Sequence, residues 1–142
     1  MGVFNNGKLC DILSGEEVFI YNILLGELQN SGFYDGGDGG IISSDGKPQI
    51  NVDIKDNIPN VNIDIQVKMY GVKNLEESTA VLKTRCEDFL NRIKGCGSDI
   101  LGFGRYVKKD FLTQKEWENY NWKDKYRNST FSVNLVVKNV KN

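Results

Sequence analysis

Catalysis is constrained first by an absence: none of the 142 residues is histidine. Imidazole is the commonest general base and the usual partner of a serine or cysteine nucleophile, so hydrolase triads are effectively excluded. Cys10, Cys86 and Cys96 form no CxxC pair, and without histidine they make a poor zinc site. Two pairs of carboxylates, Glu16 with Glu17 and Glu116 with Glu118, raise the chemistry of a glycosidase. That chemistry needs acids facing each other across a cleft at roughly 5 to 9.5 Å, and surface helices explain both pairs more simply. Asp35 and Asp38 in "YDGGDGG" resemble the start of a calcium loop, but the third ligand position and the distal glutamate of an EF-hand are missing. The sequence therefore points to no catalytic residue, no metal and no cofactor.

Two further stretches have the residue types of a binding site. In "SDILGFGRY", Gly102 and Gly104 bracket Phe103 just ahead of Arg105, as a phosphate-cradling loop would. A dinucleotide loop requires a third glycine three residues on, where Val107 stands, and a preceding strand; a Walker lysine is also missing. Packing is the better expectation: Ser98 caps a helix, Asp99 sits beside its positive end, and Ile100, Phe103 and Val107 recur at helical spacing. Both glycines then lie inside a helix, at about 0.5 to 1 kcal/mol each against alanine, which close approach of another element must offset. Farther on, Trp117, Tyr120, Trp122 and Tyr126 interleave with Lys115, Lys123, Lys125 and Arg127. Base or sugar stacking is one reading of that pattern. Anchoring of the tryptophans in the core is favoured, with an exposed aromatic patch for a protein partner as the functional alternative. Arg105, Trp117, Tyr120 and Trp122 are thus the candidate partner surface. Asn128-Ser129-Thr130 matches a glycosylation sequon, which matters only in a glycosylating host.

The elements that would position these residues follow from periodicity. "NNG" between Val3–Asn5 and Lys8–Leu13 predicts a hairpin. Ser14 and Glu17 form a capping box for a helix from Gly15 to about Gln29, stopped by Gly32. The glycine-rich stretch from Tyr34 to Gly40 reads as a loop. Apolar residues at every second position from Ile50 to Ile54 and from Val61 to Met69 predict two long antiparallel strands joined by a turn around Pro59. Asn74 with Glu77 starts a second helix carrying Leu82, Cys86, Phe89, Leu90 and Ile93 inward, ended by Gly95 and Gly97. The Ser98 helix runs to about Phe111, Thr113 with Glu116 caps a short helix bearing Trp117, and Phe131 to Val137 alternate as a last strand. The fold class is α+β, an antiparallel-rich or mixed sheet with one face covered by about three to four helices.

Bulk properties add bounds. The length suits a single domain over residues 1–142. A formal net charge of −1 gives no general attraction to nucleic acid or anionic lipid. Residues 1–73 hold ten acids against five Lys/Arg, and residues 99–142 nine Lys/Arg against five acids, without a block of like charge. The longest apolar run, Val18 to Leu25, is far short of the roughly 20 residues of a membrane span. "MGVFNNGK" has neither the basic nor the apolar part of a signal peptide. An odd cysteine count leaves at least one thiol free; Cys86 and Cys96 lie too far apart along a helix to pair, and all three are expected to be buried or inert.

Several segments together resemble a known family. "GVFNNGKLCDILSGEE", "YNILLGEL", "GKPQINVDIKDNIPNVNIDIQVK", "SDILGFGRYVKKDFLTQKEWENYNWKDKY" and "FSVNLVVKNVK" resemble the C-terminal domain of the Ger(x)C spore germination proteins across nearly the whole chain. The most specific part is Ser98, Asp99, Gly102, Phe103 and Gly104 together with Lys115-Glu116-Trp117 and Trp122. The resemblance implies a non-enzymatic C subunit of a nutrient germinant receptor. It would be a lipoprotein on the outer face of the spore inner membrane, acting with polytopic A and B subunits. Its lipid anchor and N-terminal domains would lie outside this chain, and Cys10 would not be the anchor cysteine. The domain alone is expected to be monomeric, soluble and without nucleic-acid binding. The alternatives are a nutrient-binding sensor domain and, less favoured, a carboxylate hydrolase of spore cortex.

Overall fold

The computed structural model describes residues 1–34 and 39–140. Asn6 and Gly7 both take positive φ, 53° and 76°, the two-residue turn that suits twisted strands, and so Gly2–Asn5 (β1) folds back on Lys8–Ile12 (β2). The Ser14 hydroxyl accepts the Glu17 amide while the Glu17 carboxylate accepts the Ser14 amide, and this reciprocal cap starts helix Gly15–Leu25 (α1). The helix ends earlier than its sequence suggests. Gly26, at φ 72°, returns its amide to the carbonyls of Asn22 and Ile23, so Gly26 is the terminator and Gly32 is not.

Gly32 instead lies in Ser31–Tyr34 (β3), antiparallel to Gly39–Ser44 (β4). Of the segment read as a loop, Tyr34 ends β3 and Gly39 and Gly40 begin β4, with Tyr34 paired to Gly39, while Asp35 and Asp38 lie outside the described residues. Gln49–Lys55 (β5) and Ile58–Tyr70 (β6) form the long hairpin that the alternation predicts. Its turn is made by Asp56 and Asn57, at φ 51° and 65°, while Pro59 sits within β6 opposite Ile54.

β6 organises the sheet. One edge pairs antiparallel with β5 over residues 58–64 and with β4 over residues 67–70; the other pairs in parallel with Thr130–Val140 (β7) over residues 60–70. Pro59 falls just before that parallel ladder begins, so its missing amide forfeits no bond to β7. A parallel neighbour demands a crossover, and this one carries the helices. They are Leu75–Ile93 (α2), a 3-10 turn at Lys94–Cys96, and the short helices Arg105–Lys108 (α3), Gln114–Tyr120 (α4) and Trp122–Arg127 (α5). The result is an α+β fold with a mixed, mainly antiparallel sheet.

The core lies between the inner face of β6 and the helices. Val61, Ile63, Ile65, Val67 and Met69 are buried on β6, against Ile20, Ile23 and Leu24 of α1 and Leu82, Phe89, Leu90 and Ile93 of α2. At about 1.5 to 3 kcal/mol per fully buried aliphatic or aromatic side chain, this layer is the main source of stability. The opposite face carries Asn62, Asp64 and Gln66, all exposed, as a sheet covered on one side requires.

The cysteines depart from the expectation of three inert thiols. Cys10 on β2 and Cys96 beyond α2 form a disulfide, their Cα atoms 5.9 Å apart across 86 positions of sequence. Spacing along one helix could not reveal that pair. Cys86 stays a free, buried thiol, pushed up to about 12 by burial and by the neighbouring Glu87 charge. The disulfide seats the β1–β2 hairpin against the end of α2, helped by the Asn5 side-chain amide donating to the Cys96 carbonyl at 2.9 Å. Arg92 pairs with both Asp11 and Glu17, joining hairpin, α1 and α2. Burial alone would raise the Glu17 carboxyl, but the Ser14 amide and the Arg92 guanidinium outweigh it and hold the group below the ordinary glutamate range.

Candidate functional site

The segment between α2 and α3 is not the expected helix from Ser98 to Phe111; only Arg105–Lys108 is α-helical. Turns occupy residues 100–104, and one carboxylate closes them. Asp99 Oδ1 accepts the Phe103 amide at 2.8 Å, and Oδ2 accepts the Gly104 amide at 2.7 Å and the Trp122 indole Nε1–H at 2.9 Å. Consecutive main-chain amides thus converge on an anion, in the manner of a nest, but the anion belongs to the chain itself. Hydrogen bonds to an ionised acceptor are among the stronger ones, so Asp99 fixes the loop and pins α5 to it.

Both glycines are required here, for reasons other than a helix interior. Gly102 takes φ 71°, a left-handed turn residue. A Cβ on Gly104 would lie 2.7 Å from Trp122 Nε1, so only glycine lets the indole reach Asp99. Phe103 turns inward, 1% exposed, against Phe131 at 5.8 Å between ring centroids.

From this clamp a run of ring contacts leads outward. Trp122 meets Tyr126 at 5.9 Å on the core side and Trp117 at 6.3 Å, stacked, on the other. Trp117 stacks on Tyr120 at 6.3 Å, and Phe111 touches both, at 5.5 and 5.0 Å. The local sequence explains the placement. The Thr113 hydroxyl caps α4 by accepting the Glu116 amide, and Asn121 at φ 57° breaks the chain between α4 and α5, so two short helices stand where one was expected. Glu116 reaches back to the Leu112 amide, one residue outside a reciprocal box.

Trp117, Tyr120 and Trp122 are therefore brought together, each half-buried, and Leu112 beside them is 91% exposed. Phe111 extends this patch through its ring contacts, and exposed Leu112 follows it in the chain, although alternation within 113–126 gave no signal for either. Burial raises the Tyr120 hydroxyl; burial and the Asp99 charge raise that of Tyr126. Neither hydroxyl finds a hydrogen-bond partner among the described residues.

Arg105 makes no cation–π contact with Trp117, Tyr120 or Trp122 among the described residues. Its guanidinium lies over the Tyr106 ring, 5.5 Å from the centroid, and no carboxylate pairs with it among the described residues. It lines a cleft of about 480 Å³ with Leu24, Pro48, Ile50, Leu101 and Tyr106, where Lys47 and Glu27 form an exposed ion pair at 3.2 Å.

The carboxylates that raised glycosidase chemistry all have structural partners. Glu16 pairs with Arg85 at 3.4 Å, Glu17 with Arg92, Glu116 with the Leu112 amide and Glu118 with the Gln114 side chain. Among the described residues no group of three or more His, Cys, Asp or Glu side chains gathers to hold a metal ion. No helix among them is long and apolar enough to cross a membrane.

Comparison with known proteins places this architecture. The crystal structure of the GerBC protein superposes with a TM-score of 0.72 at 14% sequence identity, over 94% of this chain. At that identity the likeness is one of fold, and this chain spans 48% of the GerBC chain. No curated protein matches. The family profile described as "Spore germination B3/ GerAC like, C-terminal" matches residues 1–140, and the chain belongs to that family of spore germination domains.

Proposed function

We propose that this chain is the C-terminal domain of a C-type subunit of a nutrient germinant receptor, and that it works through protein contacts without catalysis. The observation that carries this reading is the family match over residues 1–140. The site supports it with a patch of half-buried Trp117, Tyr120 and Trp122 beside exposed Leu112, the composition of an interface anchor. The partners are the A and B subunits of the receptor. The whole protein sits on the outer face of the spore inner membrane as a lipoprotein, and the domain takes no cofactor and no nucleic acid.

Trp117→Ala tests the contact role, because Trp117 is only half-buried, whereas Trp122 also holds Asp99. We expect the variant to fold, with a modest loss of melting temperature, and to lose co-purification with the other subunits and nutrient-triggered germination of spores. Normal germination at normal protein level would refute it. The cleft beside Arg105 favours a second reading, a small-molecule sensor. Its charged groups, Arg105, Lys47 and Glu27, are all exposed, whereas a ligand pocket usually holds its few polar groups buried among apolar walls. The domain should therefore bind no nutrient amino acid or sugar at millimolar concentration in a calorimetric titration.

A further inference from the structure

β7 is an outer strand of the sheet, 11 residues long, with no proline and an unbroken register against β6. Edges of that length are usually blunted by a bulge, a proline, charged side chains or a cover, because their free amides and carbonyls invite another strand, and β7 has a single charge, Lys138. Among the described residues Glu87 of α2 covers only one end: its carboxylate accepts the Val133 amide at 3.4 Å, so that amide faces away from β6. Strand geometry alternates, and the main-chain groups of Leu135, Val137 and Asn139 turn to the same open side. Beside them α2 and β7 enclose a groove of about 430 Å³, lined by Leu75, Thr79, Ala80, Leu135 and Val137, with Glu76 and Lys83 also on its α2 side.

We propose that this edge is a docking site for an extended segment of another protein. The segment adds to β7 as a further strand and lays aliphatic side chains at alternate positions into the α2 groove. From Leu75 to Lys83 the helix advances about 12 Å, and four strand residues span about 13 Å, so about four residues of the occupant are gripped. Glu76 and Lys83 have opposite sign, which fits a segment uncharged in its middle better than an acidic or basic run. A second copy of this chain fits poorly. Two β7 strands paired about a two-fold axis would lie about 4.8 Å apart, with both α2 helices on the same face, and helices packed over β7 need about 8 to 10 Å. The inference goes beyond the receptor assignment, since it holds whichever protein supplies the segment.

The test uses this 142-residue chain and a synthetic peptide alternating valine and threonine with lysine at both ends. NMR titration should shift the amides of Leu135, Val137 and Asn139 and slow their hydrogen exchange, with little change on β3 or β5. Val137→Pro removes an outward amide without touching the β6 ladder, and should keep the fold while weakening the peptide by about tenfold or more; Val137→Thr should retain it. Shifts confined to another surface, no shifts at millimolar peptide, or undiminished binding by Val137→Pro would overturn the proposal. Self-association of the chain through β7, lost in Val137→Pro, would also overturn it in favour of a second copy.

Discussion

Gly104→Ala adds a single carbon where the structure has no room for one. The backbone there, at φ −57° and ψ −30°, suits any residue, so the cost is steric and not conformational. The new Cβ would stand 2.7 Å from Trp122 Nε1 and 2.8 Å from Cδ1. Ordinary contact is about 3.5 Å, so the indole must withdraw by about 0.8 Å. Its Nε1 begins 2.9 Å from Asp99 Oδ2, and the same withdrawal carries it beyond hydrogen-bond distance. Overpacking costs about 1 to 3 kcal/mol, and a hydrogen bond to a charged group contributes about 1.5 to 3 kcal/mol. One movement relieves the clash and breaks the bond, so these are alternatives and do not add. Alanine also recovers about 0.4 to 1 kcal/mol by restricting the unfolded chain. A net loss on the order of 2 kcal/mol follows, a fall in Tm of about 4 to 8 °C for a domain of this size. Thermal unfolding followed by circular dichroism, with tryptophan emission as a second probe, measures it. Gly104→Leu should lose more. A Gly104→Ala protein melting within about 1 °C of the parent would refute the clamp.

Tyr126 carries a buried hydroxyl with no partner among the described residues, so Tyr126→Phe should leave Tm unchanged or raise it, because an unsatisfied group contributes nothing. In alkali the sign is set by a folded-state hydroxyl titrating above its unfolded value of about 10. Stability is complete below that pH and falls as pH rises above it, and Tyr126→Phe should move the alkaline unfolding midpoint upward; a downward shift would contradict the burial. The Cys10–Cys96 link predicts one titratable thiol per denatured, unreduced chain; three would exclude the link. Closing a loop across 86 positions, it should contribute about 2 to 5 kcal/mol, read as a drop in Tm on reduction that Cys10→Ser reproduces and reductant does not deepen.

Local signals in the sequence were decisive where the partners are local. Asn6-Gly7, the Ser14 and Glu17 box, Asn74 capping Glu77 and the alternation of β6 each involve residues within a few positions, and each forms as its chemistry dictates. The misreadings share a different cause. Ser98 is an acceptable cap, but Asp99 takes the nearby amides once Trp122, 23 positions away, supplies a third donor, and the left-handed Gly102 then rules out the helix. Cys10 meets Cys96 only because the hairpin docks on the end of α2. Gly26 pre-empted Gly32 as terminator because the nearer glycine could already turn left-handed. Of the candidate surface, the grouping of Trp117, Tyr120 and Trp122 was legible from their density, while Arg105 faces a separate cleft that only the packing of α1, β5 and α3 creates.

The central claim is that the aromatic patch meets other receptor subunits, and Leu112 is the place to ask. At 91% exposure it can be replaced by a photo-cross-linking residue without disturbing the core. Irradiated spores carrying that residue in the full-length protein should yield adducts with the A or B subunit, reduced when Trp117→Ala is combined with it. Adducts to neither subunit, from spores that germinate normally, would contradict the account.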